Sequence, residues 1–485
     1  MPCPTRIATL LATALALTAA PPAARAQPTP GPSARVDALV ERYRVARQVP
    51  GIAVAVVRNG TVIKARGYGV ASLELGTPVT PRTVFGLGSI SKQFTATAIM
   101  QLVEDGRLRL DDPIVRHLDS LPPHWAPITI RHLLTHTSGL AEERWLPNFV
   151  EFDRHEHRQL DVLRTIYADS LESAPGAAWA YRNSAYRLLG MIVERVGGES
   201  YWALLHRRIF QPLGMTATRS SDPKTIIPHR AAGYGRERGR IVNRDAVTES
   251  AAFSEGALMS SVLDLARWDA ALYRPTFLSP AGLDTMWTPV RLANGQTHPY
   301  GLGWFVAPTN GVRTVSHGGS LPGFITQISR HIGLGLTVIV LTNAEWASPQ
   351  RLAASIAGVY ERALVPQPDS VIADPEPDLT ARLGAALEEL GRGGLDPARI
   401  GAEARDAFPP AVVTDLVRPV RGLGAVRRIE LLERRAAGAF VWRRYRAVLA
   451  RGTLLVSAVT DAAGLVVSLD VEPGEATSEP PPGGR

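Results

Sequence analysis

Helix-like and strand-like runs of apolar positions follow one another in blocks along this chain. Arg35 to Gln48 reads as a helix. GIAVAVVRNGTVIKARGYG (51–69) is two β-rich runs, and the Asn59-Gly60 step between them is a strong hairpin signal. From about 89 to 290 the pattern is mainly helical, interrupted by long loops that contain Pro and Gly. Strand-like runs return at Gly303–Val306, Arg313–Ser316, Phe324–Ser329 and Leu336–Leu341, and a helical stretch follows from about Pro349 to Leu364. Strands at both ends with helices between them predict one sheet assembled from distant parts of the chain. A helical insertion beside that sheet leaves a cleft between the two.

VPQPDSVIADPEPD (365–378) is rich in Pro and acid, the composition of a connector. Beyond it Leu379–Leu390 is helical in pattern, and runs near Ile429–Leu432, Phe440–Leu449, Leu454–Val459 and Leu465–Val471 predict a small antiparallel sheet. Residues 379–473 thus read as a small α+β domain without a catalytic constellation, and 474–485 as a disordered tail. At the other end, MPCPTRIATLLATALALTAAPPAARAQ places Arg6 before an apolar stretch from Ile7 to about Ala20, then Ala24-Arg25-Ala26. That is the three-part pattern of a secretory signal over residues 1–26. The stretch is short for a membrane span, which needs about 20 residues. No later segment is apolar for long enough, so no span is expected after cleavage. The expected location is the periplasm or exterior of a bacterium.

Composition narrows the chemistry. In 485 residues, 45% are hydrophobic and 20% charged, as in a soluble globular protein with a large core. The only cysteine, Cys3, lies inside the signal, which leaves the mature chain no disulfide, thiolate nucleophile or cysteine zinc site. A net charge of +8 favours acidic partners, yet no Lys/Arg block with interleaved aromatics occurs. The charge reads as a solvated arginine-rich surface, and no nucleic-acid partner is expected. No cofactor is implied.

GLGSISKQFTATAIM (86–100) holds Ser89 and Lys92 three residues apart on one helical face. Serine is a poor nucleophile until a neighbouring base takes its proton. Lysine can be that base, whereas arginine cannot give up its proton. Of 53 basic residues only Lys64, Lys92 and Lys224 are lysines, so a lysine beside Ser89 is informative. Spacing alone is not, because Ser221-Asp222-Pro223-Lys224 repeats it where Pro223 and Pro228 disfavour a helix. Ser89 has a Gly-rich approach, helix formers through Glu104 and Gly106 as a stop. A plain N-cap serine remains the alternative. APGAAWAYRNSAYRLLG (174–190) adds Tyr181 and Asn183, and HGGSLPGF (317–324) adds His317 and Gly319 between two strand runs.

GSISK, the PGxxWxYxN segment and HGG occur in this order together with LLTHTSGL (133–140), IFQPLGM (209–215) and YGLGWFV (300–306). Over residues 32–364 the chain resembles the serine β-lactamase and penicillin-binding-protein superfamily. The resemblance is to its class C-like branch of β-lactamase-related hydrolases, esterases and D-aminopeptidases. It implies an α+β fold, with an antiparallel sheet flanked by helices plus a helical subdomain. It further implies an acyl-enzyme on Ser89, proton transfer through Lys92 and Tyr181, and substrate orientation by Asn183. His317 and Gly319 would be among the substrate-binding residues, and the N–H groups of Ser89 and Ser320 would form the oxyanion hole.

The chain departs from the pattern at His317, where the family sequence Lys-Thr-Gly offers a permanent cation to a substrate carboxylate. Histidine is mostly neutral at pH 7. Small or peptide-like ester and amide substrates are therefore expected over penicillins or cell-wall peptides, with a non-catalytic sensor of the same fold as the rival from another class. No Gly-x-Ser-x-Gly elbow supports an α/β-hydrolase. A metal hydrolase built on His155 and His157 fails because residues i and i+2 do not share a helical face.

Overall fold

The computed structural model describes residues 31–142, 152, 154–237, 239–365, 370–395, 413, 416–417, 419–437, 440–460, 464, 466–474. The segment read as a secretory signal and positions 475–485 of the expected tail lie outside them, as does part of the connector.

Helix α1 (Pro32–Arg47) leads into strand β1 (Gly51–Arg58), which returns as β2 (Thr61–Ser72) and the short β3 (Thr77–Pro78). Asn59 and Gly60 make the turn with positive φ, 48° and 75°. A run of helices follows, of which α2 (Ser91–Glu104) and α3 (Asn183–Gly197) concern the site. The hairpin β4 (Tyr234–Glu237) and β5 (Arg240–Asn243) and helix α4 (Glu249–Gly256) come next. The chain then re-enters the sheet as β6 (Phe305–Val306), β7 (Thr314–Leu321), β8 (Phe324–His331) and β9 (Leu336–Thr342), and α5 (Pro349–Tyr360) closes this part.

The sheet is antiparallel, in the order β6-β7-β8-β9-β1-β2-β3. Its two halves join where β1 pairs with β9, Ile52 opposite Thr342 and Ala55 opposite Ile339. That junction explains the unbroken apolar run of β1. Ile52, Val54 and Val56 pack with Val36 and Val40 of α1 and Leu352 and Ile356 of α5 on one face. Ala53, Ala55 and Val57 face the larger helical core on the other. A strand covered on both sides has no polar alternation to show.

Helix α2 is buried nearly all round, Ser91 to Met100 without interruption, as a helix through the middle of a core must be. Phe94 packs on Trp268 with ring centroids 4.4 Å apart and meets Phe210 edge-on at 5.8 Å. Truncating such a ring costs about 3–5 kcal/mol, so the helix is firmly seated.

Two of the boundaries that differ from the sequence reading bear on the site. Ser89 sits in a 3-10 turn, Gly88–Ile90, two residues ahead of Ser91, where the α-helix begins. The strand expected to end at Ser316 continues through His317-Gly318-Gly319-Ser320 to Leu321, because pairing with β8 persists to Leu321 opposite Phe324. Hydrogen bonding across the ladder outweighs the low strand propensity of two glycines.

Helix α6 (Pro377–Arg392) and the meander β10 (Val426–Ala437), β11 (Phe440–Leu449), β12 (Gly452–Thr460) and β13 (Val466–Pro473) form a second core. Leu383, Leu387 and Leu390 of the helix belong to it with Leu431, Tyr445 and Val456. Along β12 Leu454, Val456, Ala458 and Thr460 are buried in alternation, the mark of a sheet with one face against a helix.

Candidate active site

Backbone packing places the nucleophile candidate. Gly88 has φ +54°, and a Cβ there would stand 2.5 Å from the Ser320 amide nitrogen. A Cβ on Gly319 would stand 1.8 Å from the Leu87 carbonyl oxygen. Only glycine on both sides lets the turn at 87–89 lie flat against β7, and the Thr326 hydroxyl ties the approach by donating to that Leu87 carbonyl at 2.7 Å. Ser320 is thereby held beside the Ser89 turn.

Lys92, on the first turn of α2, is 0% exposed. Its Nζ donates to Asn183 Oδ1 and to the Glu255 carbonyl oxygen, both at 2.9 Å, and stands 3.1 Å from Ser89 Oγ. It also lies over the rings of Tyr181 and Tyr186, 4.8 Å and 5.5 Å from their centroids. Asn183 begins α3, and Glu142 accepts from both its backbone N–H and its side-chain Nδ2 at 2.9 Å. A carboxylate at a helix N-terminus is favoured by the peptide dipoles. Here it also fixes Asn183 with its Oδ1 toward Lys92.

Tyr181 makes no hydrogen bond through its buried hydroxyl among the described residues. Burial pushes its ionisation well above the ordinary value, opposed by the nearby Ser89 hydroxyl and reinforced by the Glu142 and Glu255 carboxylates. It is a neutral phenol at physiological pH. His136 brackets it: the His136 carbonyl accepts from Ala180 N at 2.9 Å, and its Nδ1 accepts from Arg182 N at 3.1 Å. The imidazole itself lies 4.3 Å from the tyrosine ring centroid.

His317, expected among the substrate contacts, is only 2% exposed. Its Nδ1 faces the Gly318 carbonyl at 2.6 Å and its Nε2 the Tyr300 hydroxyl at 3.1 Å. A carbonyl only accepts, so Nδ1 carries the proton and Tyr300 donates to Nε2. Burial, with Lys92 adding to it, lowers its pKa to about 3, against the opposing pull of the Gly318 carbonyl. The ring is neutral and occupied at both nitrogens. Substrate would meet the strand's edge instead, where Ser320 is exposed.

A cavity of about 930 Å³ opens here, lined by Ser89, Asn183 and Ser320 together with Val242, Arg244 and Leu321. Arg244 is held by Glu237 and Glu345, each at 2.7 Å. Ser89, Lys92, Tyr181, Asn183, Gly319 and Ser320 are thus brought together. The decoy is not: Ser221 Oγ donates to the Val247 carbonyl, and the side chain of Lys224 is 80% exposed. His157 stacks on Phe152 and faces its carbonyl. Sequence reasoning missed Glu142, Glu255, Tyr300 and the bracketing by His136. A carbonyl acceptor such as that of Glu255 has no side-chain signature to find.

The Beta-lactamase family model matches residues 36–359. Penicillin-binding protein 4* of Bacillus subtilis (strain 168) is 35% identical over 318 residues, 59% of this chain and 68% of that protein. The D-aminopeptidase of Gluconobacter oxydans (strain 621H) is 29% identical over 399 residues, 79% of this chain and 71% of its own. Among solved structures, a D-stereospecific amidohydrolase from Streptomyces sp. superposes with TM-score 0.57 at 25% identity, over 67% of this chain and 97% of that one. The octameric penicillin-binding protein homologue from Pyrococcus abyssi shares the fold over 91% of this chain and 98% of its own, with TM-score 0.60 and 24% identity.

Proposed function

This chain is a serine hydrolase of the Beta-lactamase family, and on that premise we propose that it is exported and cleaves ester or amide bonds of small or peptide-like substrates, D-amino-acid derivatives among them, through a Ser89 acyl-enzyme. The observation that carries the mechanism is the setting of Lys92. A neutral amine has two N–H groups and one lone pair. Asn183 Oδ1 and the Glu255 carbonyl take the two N–H groups, both at 2.9 Å, and leave the lone pair for the Ser89 hydroxyl at 3.1 Å.

Ser89 Oγ attacks the substrate carbonyl as Lys92 takes its proton. The developing oxyanion lies between the N–H groups of Ser89 and Ser320, fixed donors that need no reorganisation. Tyr181, neutral and free of other hydrogen bonds, relays the proton to the departing oxygen or nitrogen. Water then enters, gives its proton back through the same two groups and releases acid and Ser89. The D-aminopeptidase relative supports D-amino-acid substrates, and the signal-like residues 1–26 support export.

A second reading, action on penicillins or cell-wall peptides, is favoured by the identity to penicillin-binding protein 4*. Against it stands a neutral, enclosed His317 where a cation would hold the substrate carboxylate. Intact-mass labelling of the mature protein with a fluorophosphonate and, separately, a penicillin tests both. A single fluorophosphonate adduct that is absent in Ser89→Ala supports the acyl-enzyme. A penicillin adduct at the same serine supports the second reading, and no adduct from either in a folded protein overturns both.

A further inference from the structure

The residue whose carbonyl holds Lys92, Glu255, carries a side-chain ion pair with Arg187 that the mechanism leaves unused. Arg187 stands one helical turn after Asn183 on α3, on the same face. Its Nη2 donates to Glu255 Oε1 at 2.5 Å and to the Ala251 carbonyl at 2.7 Å, and its Nη1 donates to the Ser250 carbonyl at 3.0 Å. Both side chains are buried, 0% and 5% exposed. Glu255 is also the residue whose carbonyl holds the Lys92 amine. Its neighbour Ser254 fastens the same stretch, accepting from Thr95 on α2 through its carbonyl at 2.6 Å and donating its hydroxyl to the Tyr186 carbonyl at 2.9 Å.

A buried ion pair gives little net stability, since removing two charges from water offsets their attraction. This one occupies the spot where charge matters most. A serine activated by lysine needs the amine neutral, and a bare carboxylate next to it would hold it as ammonium. Among the described residues the groups near Lys92 include Ser89 on the preceding turn, Tyr181, the α3 residues Asn183 and Tyr186, Glu142 at the α3 N-terminus, and the imidazoles of His136 and His317. Arg182 is an additional cation close to His136. Burial holds both imidazoles neutral, and both tyrosines stay protonated. The permanent cation facing Glu255 is Arg187.

Resting on the acyl-enzyme reading, we infer that Arg187 and Glu255 are a positioning pair acting through Lys92. The main chain of Glu255 holds the amine, and Arg187 cancels the Glu255 charge so that the amine can shed its proton.

The test is the second-order rate of fluorophosphonate labelling at Ser89, followed on the whole mature protein from about pH 5 to about pH 10. The rate rises with pH as Lys92 becomes neutral. Arg187→Met leaves Glu255 uncancelled and moves that limb up by about one unit, which is about tenfold slower labelling on the limb. Glu255→Gln leaves Arg187 uncancelled and moves the limb down by a similar amount. Arg187→Lys, which keeps the charge, restores the wild-type limb, and so does Arg187→Met combined with Glu255→Gln. A pair serving only structure would slow both single variants without moving the limb, and that result, or an unchanged limb in folded variants, overturns the inference. Should Arg187→Met not fold, the near-isosteric Glu255→Gln decides by itself. A wild type that takes no label at any pH overturns the Ser89 reading, and this inference with it.

Discussion

Replacing Gly319 with alanine tests whether the close approach of β7 to the Ser89 turn builds the oxyanion hole. The added Cβ would stand 1.8 Å from the Leu87 carbonyl oxygen and 2.6 Å from Thr326 Oγ1. An ordinary C···O contact is about 3.3 Å, so strand and turn must part by more than an ångström. Neither obstacle can step aside cheaply, because one is backbone and the other is its hydrogen-bond partner. Ser320, whose N–H is the proposed second donor, is the next residue and moves with the strand. Losing one such donor lowers kcat by about 10²–10³, or about 2.7–4 kcal/mol of transition-state stabilisation. The overpacking itself costs about 1–3 kcal/mol of stability. Gly318→Ala is the control. Its Cβ would meet Gln350 Nε2 at 3.0 Å and Gln327 Oε1 at 3.1 Å, side-chain ends that need give by only a few tenths of an ångström. Turnover of an activated aryl ester, with thermal unfolding measured alongside, should show Gly319→Ala folded and slow in kcat with KM little changed, and Gly318→Ala near wild type. Equal activity in the two variants would refute the reasoning.

Lys92→Arg keeps the charge but replaces an amine that can take the Ser89 proton with a guanidinium that cannot, and fluorophosphonate labelling should fall at least about 100-fold. Tyr181→Phe deletes a hydroxyl with no hydrogen-bond partner among the described residues, so the melting temperature should hold while ester turnover falls about 100-fold. Burial lowers His317 to about 3 and His331 to about 4 in the folded protein, whereas unfolded histidine titrates near ~6.5. The unfolded chain therefore binds more protons as pH falls below that value, and stability is lost progressively from there toward pH 3–4. Urea midpoints at pH 7 and pH 5 should differ less in His317→Gln than in the wild type; an identical difference would show that His317 contributes nothing to the slope.

Much of this was legible in the sequence where local chemistry and tertiary demand agree. The apolar run of β1 reads as a strand because both faces are covered, and Asn59-Gly60 reads as a turn because both residues sit in left-handed backbone. Ser89 and Lys92 announce each other at a spacing of three, but only the fold carries Asn183 to Lys92 from 91 positions away. The partners that surround them stayed silent. Glu142 resembles any surface acid until α3 presents its N-terminus to it. Arg187 and Glu255 are unremarkable in two separate helical stretches, and their pairing exists only once α3 and α4 pack. His317 falls one residue past the strand run legible in the sequence, and its burial depends on Tyr300 receiving the ring. Pattern reports which side chains are present; orientation and pairing come from elements it cannot align.

The seam between β1 and β9 has a consequence for the birth of the chain. Strand β1 leaves the ribosome early, and the partner on its open edge, Leu336–Thr342, is among the last parts of the catalytic core to be made. Until then the hairpin carries an unpaired, strongly apolar edge, and the sheet cannot close. Pairings this distant in sequence form slowly. A nascent chain of this kind remains without a closed sheet for most of its synthesis. The same delay leaves it sticky, so a chain released short of residue 336 should be found with chaperones or in aggregates.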